Sequence, residues 1–192
     1  MNKNSFSSDI YPILFLTIVV CIAVVGLVLT NSVTEERIEE ARTEALKEIL
    51  IAQFPDMDTF EYDEDIEVYT IYDQDQEIIG YAFETEADGY GGEIELLVAL
   101  EGTDMREGNI IVKGISVLFH GETPGLGARI EEDAFLNQFE GTNVEDIRLT
   151  DDGGDIDAIS GATVSTEAVV NTVHESALEK AALIRENMEV SA

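Results

Sequence analysis

Asp157-Ala158-Ile159-Ser160-Gly161-Ala162-Thr163-Val164-Ser165-Thr166 is the stretch that decides how the carboxyl-terminal half folds. Its small residues at 160–162 suit a turn and interrupt any extended pattern. After it, Val169, Val173, Ala177, Ala181 and Ile184 recur at helical spacing, which predicts an amphipathic helix from Ser165 to about Met188. Ser165 or Thr166 can cap that helix. Asp157 and Ser160 can hydrogen-bond backbone amides and hold the loop. Asp151, Gly153, Asp155 and Asp157 alternate as in a calcium loop, but Ala162 stands where the closing glutamate belongs, so the segment reads as a turn.

Working toward the amino terminus, strands replace the helix. A strand is expected near Val144 to Leu149, and a short helix over Arg129 to Phe139. Ile110 to Phe119 alternates as a strand and delivers a loop, His120-Gly121-Glu122-Thr123-Pro124-Gly125-Leu126-Gly127. Further back, Glu93 to Glu101, Glu77 to Glu84 and Ile66 to Tyr72 read as strands, with turns at 73–76 and 88–92. Strands framed by helices predict an α+β domain with a mainly antiparallel sheet.

Ile10 to Thr30 contains no charged residue. As a helix it is about 30 Å long, one hydrocarbon thickness. A signal peptide is the competing reading, and the length favours an uncleaved transmembrane helix. The chain thus divides into a tail at 1–9, a transmembrane helix at 10–30, a linking amphipathic helix at 31–56 and a domain at 57–192. Ser32 to Glu35 has capping-box spacing, and Ile38, Ala41, Ala45, Leu46 and Ile49 form an apolar stripe ended by Pro55. Arg37, Arg42 and Lys47 follow the apolar segment, whereas Lys3 alone precedes it. Positive-inside counting therefore leans toward a cytoplasmic domain.

The chain carries 41 Asp+Glu against 10 Lys+Arg, a net charge of −31. Such a surface repels nucleic acid and anionic lipid, and its self-repulsion should weaken the fold at low salt. Cys21 is the single cysteine and His120 and His174 the only histidines. Disulfides, a zinc site and an iron–sulfur cluster are therefore outside the chain's own means. Nor is there a G-x-G-x-x-G dinucleotide fingerprint. Any electrons it moves must ride on an organic cofactor.

The D-x-x-S-G-A-T run ending at Thr163 resembles the site where a flavin transferase attaches FMN, through its phosphate, to a threonine hydroxyl. Together with the H-G-E-T-P-G-L-G loop it is similar to the FMN-binding G subunit of Rnf ion-translocating electron-transport complexes. The C subunit of sodium-pumping NADH:quinone reductases is a related alternative. The resemblance implies covalent FMN on Thr163, although Thr166 also carries a hydroxyl. It implies flavin contacts from Glu122, Thr123, Gly125 and Leu126, and an attachment loop of Asp157, Ser160, Gly161 and Ala162. Arg129 and Arg148 are the nearest cations in sequence. Implied too are electron relay from ferredoxin to NAD or another acceptor, other membrane subunits as partners, a flavin transferase for maturation, and a single-pass location with the domain outside the cell. That orientation opposes the charge count. A flavin-free anchored binding domain and a free-standing flavin reductase are the rival functions. His120 at a strand end reads first as structural.

Overall fold

The computed structural model describes residues 14–21, 23–24, 42–102, 105 and 109–190, in two compact units, 1–48 and 49–192. In the first, residues 14–21, 23–24 and 42–48 are helical. Most of the expected membrane helix at 10–30, and the capping box at 32–35, lie outside the described residues. Among the described residues no helix is long and apolar enough to cross a membrane. Helix α1, over 42–53, ends ahead of Pro55, whose ring cannot continue a helix.

The second unit is built on a six-stranded sheet in sequence order, antiparallel throughout. Its strands are β1 Thr59–Asp63, β2 Val68–Tyr72, β3 Ile78–Asp88, β4 Glu93–Glu101, β5 Ile111–His120 and β6 Thr142–Asn143. The α+β class and the antiparallel sheet agree with the sequence reading. Strand β1 had no sequence signal strong enough to name: three of its five residues are exposed, so its alternation is blurred.

The strand expected at Val144 to Leu149 is corrected. Pairing with β5 stops at Asn143, whose side chain accepts from the Glu145 amide and turns Val144–Asp146 into a 3-10 turn. Val144 and Ile147 are buried, but at a spacing of three, which suits a turn as well as a strand. The helix expected at 129–139 is likewise shorter: a 3-10 turn over Gly127–Glu131, then the one-turn α2, Asp133–Leu136.

The last helix, α3, runs Thr163–Val190 and starts two residues earlier than the periodicity suggests. Val169, Val173, Ala177, Ala181 and Ile184 share one core with Ile94, Leu96, Val98 and Leu100 of β4. That period-two set on β4 leaves Leu97 and Ala99 on the other face, also buried. Gln53 covers part of that face through Ser116 Oγ, 3.4 Å from its Nε2, and the Phe54 ring lies over Gly80. Polar contacts fix the helix lengthwise. His174 Nδ1 donates to the Val144 carbonyl at 2.7 Å, and Lys180 Nζ to the Ile66 carbonyl at 2.8 Å. Asn187 Nδ2 donates to Asp63 at 2.8 Å.

The acidic surface has a local focus at the β3–β4 turn, where Asp88 pairs with Glu93 and Glu86 with Glu95. A hydrogen bond with Glu86, then repulsion from it, raises the Glu93 pKa above 4.5. A raised folded-state pKa favours the protonated form. The associated stability is present below 4.5 and is lost as pH rises through the folded value. Glu93→Gln is therefore expected to raise Tm at pH 7 and low salt, with the gain shrinking as pH falls or salt rises. An equal gain at pH 3 and pH 7 would assign it to something other than charge.

Candidate functional site

Thr163 is the first residue of α3 and is exposed. It follows Gly161, whose φ of +85° is a left-handed value suited to glycine. Beneath it the loop is tightly held. Thr166 Oγ1 accepts from the Ile159 amide at 3.2 Å and donates to the Ala162 carbonyl at 2.9 Å. The Ala162 amide donates to the Ile159 carbonyl at 2.9 Å, while Ile159 and Ala162 are buried. Ser165 and Thr166 are therefore not caps: they lie within the first turn, buried, and Thr166 ties that turn to the loop. Ser160 is exposed.

Asp157 is held on two sides. Its amide donates to Gln138 Oε1 at 2.7 Å, and Gln138 Nε2 donates to the Asp157 carbonyl at 3.4 Å. Its carboxylate accepts from Thr150 Oγ1 at 3.0 Å. The acidic stretch before it is the expected turn, a 3-10 turn over Thr150–Asp152 closed by Gly153. Gln138 is a site residue that sequence reasoning missed, because nineteen positions separate it from Asp157 with no pattern linking them.

The loop after β5 is built around Glu122, which is 6 % exposed. Its Oε1 accepts from the Gly91 amide at 3.0 Å, and its own amide donates to His120 Nδ1 at 3.1 Å. A Cβ at Gly127 or Gly89 would overlap its carboxylate. Glu122 thus faces into the fold and fastens this loop to the 88–92 turn. His120 is held at both ring nitrogens: Nδ1 accepts from the Glu122 amide and Nε2 donates to Glu131 at 3.3 Å. Thr123, Pro124, Gly125 and Leu126 form the exposed tip, closed by the Leu126 amide on the Thr123 carbonyl at 3.1 Å.

The two motifs meet at one point. A Cβ built on Gly161 would lie 3.7 Å from Leu126 Cδ2, with no other atom among its neighbours within 4 Å, and one built on Gly125 meets none. Leu126 and Val164 remain half exposed, at 51 % and 52 %. The result is an open apolar surface beside an exposed hydroxyl at the amino terminus of a 28-residue helix. Unpaired amides and the helix dipole favour an anion there. A flat apolar ring carrying a phosphate fits these residues. Arg129 is occupied elsewhere, with Nε 3.3 Å from both Glu132 oxygens, and Arg148 is exposed. Val164, unremarked in the sequence, could have been noticed as an apolar residue next to the acceptor on the side away from the helical stripe.

Residues 89–178, which contain both loops, match the family model of the FMN-binding domain. Sheet, helix and site therefore define a domain of that class. The chain belongs, more narrowly, to the G subunits of ion-translocating oxidoreductase complexes. It is 35 % identical over 183 residues to such a protein from Methanosarcina acetivorans, covering 90 % of this chain and 95 % of that one. The G subunit of the proton-translocating ferredoxin:NAD(+) oxidoreductase complex of Clostridium ljungdahlii is 38 % identical over 101 residues, and the chain spans 51 % of its length. Among solved structures, the C subunit of the Na(+)-translocating NADH-quinone reductase from Parabacteroides distasonis is similar. It has a TM-score of 0.47 and 24 % identity, with 59 % of this chain and 61 % of that one covered.

Proposed function

We propose that this chain is a flavoprotein subunit that relays electrons within a redox-driven ion-translocating complex, with FMN held covalently on Thr163. Family membership supports the electron-transfer role. One observation carries the attachment: Thr163 is exposed at the head of α3, where the open side of Gly161 faces Leu126. A separate transferase would form the bond from Thr163 Oγ to phosphorus as its activated FMN donor loses its leaving group and the hydroxyl loses its proton.

Bound FMN supplies the redox chemistry; the residues of this chain supply position and surroundings. The start of α3 stabilises the phosphoester anion. Leu126 and Val164 offer apolar surface to a ring, and Thr123 a polar edge. Gly125 and Gly161 keep space open. Ser160, Gly161 and Ala162 present the acceptor, and Asp157 anchors the loop through Gln138 and Thr150. Glu122 acts through its hold on the 88–92 turn.

Residues 57–192 form the flavin domain in this reading, and 10–30 a single membrane helix with the domain outside the cell. Other membrane subunits are the partners, with ferredoxin oxidation at one end and reduction of NAD or another acceptor at the other. A covalent tether keeps the flavin from dilution into such surroundings. Peptide mass spectrometry on the protein from its native membrane tests the assignment. FMN mass on the peptide containing Thr163 is expected; an unmodified peptide would overturn it and favour a flavin-free binding domain.

A further inference from the structure

A cleft of about 580 Å³ lies at the other end of α3, between the helix and the β1–β2–β3 side of the sheet. We propose that it receives an extended, basic segment with apolar side chains from another subunit of the complex. Tyr72 and Met188, both half-buried, supply aromatic and aliphatic surface to the cleft above the buried Tyr81 and Ile184, with Ile78 at its margin. Three carboxylates from one strand and its turn, Glu61, Asp63 and Glu64, line the same opening, and among the described residues no Lys or Arg does. Ile78, at the margin of the cleft, is 42 % exposed and so within reach of an incoming chain. An aromatic and Met-containing floor with a charged rim is the composition of a protein-recognition surface.

Charge selects the occupant. In a chain of net −31, a one-signed acidic rim repels anionic ligands and lipid head groups and attracts Lys or Arg. The apolar floor then requires that the cations alternate with side chains able to fill it. Asp63 is already fixed by Asn187, so its charge is held in place at the wall rather than swinging free. The cleft is distinct from the flavin site: Ile184 to Met188 follow Thr163 by 21 to 25 residues, about 30–40 Å along the helix axis.

The proposal rests on this chain working within a complex, and its test reads the two separately. A photo-reactive benzoylphenylalanine replaces Ile78 in the full chain, in its native membrane, and the crosslinked peptide is sequenced by mass spectrometry. The expected product joins position 78 to a Lys- or Arg-containing segment of another subunit. Its yield should fall roughly tenfold with Glu61→Lys and Glu64→Lys together, while FMN on the Thr163 peptide is unchanged. A crosslink to this chain's own residues, no crosslink, or a yield indifferent to charge reversal would each overturn the docking proposal. Loss of FMN from Thr163 in the parent chain would instead count against the proposed function.

Discussion

Alanine at position 163 is expected to abolish covalent flavin while leaving the fold almost untouched. Thr163 is exposed, and the loop beneath it is closed by Thr166 and Ile159 instead. Removing an exposed hydroxyl at a helix start, in favour of a good helix former, should change stability by no more than about 0.5 kcal/mol. The chemical consequence is total, since no other hydroxyl occupies the same position. Thr166 is a poor substitute: it is fully buried and its oxygen already makes two hydrogen bonds. Mass spectrometry should find no FMN on any peptide of Thr163→Ala, beside an unchanged thermal melt. Thr163→Ser keeps a hydroxyl and should retain at least part of the modification. Flavin persisting on Thr166 in the alanine variant would sink the assignment. A collapse in stability would show that the loop depends on Thr163 in a way its contacts do not reveal.

Most of the sheet was legible because its strands alternate strongly. Glu93 to Glu101 emerges with the bounds its pattern implies, and β3 with four more residues than expected at its far end. Failures fall where burial and local spacing conflict. Val144 and Ile147 carry an apolar signal, yet Asn143 caps a turn, and a side-chain bond of that kind is invisible to a hydropathy pattern. β1 escapes notice because an exposed strand buries little apolar surface. In the site, the two loops were readable as motifs, but that Gly161 lies opposite Leu126 needed coordinates. Gln138 is the clearest loss, a polar residue at long range whose purpose is set wholly by tertiary structure. Glu122 shows a different limit: its motif position was apparent, whereas its inward direction was not.

That inward direction leads to a second large effect. Glu122→Ala is expected to destabilise the domain by about 2–3 kcal/mol, because it removes the buried side chain that accepts from the Gly91 amide and empties the space it fills. The cost is concentrated where the 88–92 turn meets the loop after β5. A Cβ at Gly91 would approach the Gly121 carbonyl to 2.6 Å, so backbones there already touch and cannot close over the gap without moving. The loop tip at Thr123 to Leu126 should then lose its position against Gly161, and flavin attachment should slow as a consequence. Glu122→Gln retains an oxygen that can accept from Gly91 in nearly the same volume, so it should cost about 1 kcal/mol or less. Denaturant midpoints of the two variants, measured with and without flavin, check this. A stable Glu122→Ala protein with an altered flavin potential would assign Glu122 to the flavin's edge instead. Equal loss from both variants would mean that the negative charge, and not the acceptor oxygen, holds the turn. The predicted order, alanine far worse than glutamine in the flavin-free domain, follows only if this carboxylate is first a fastener between two loops and acts on the cofactor through them.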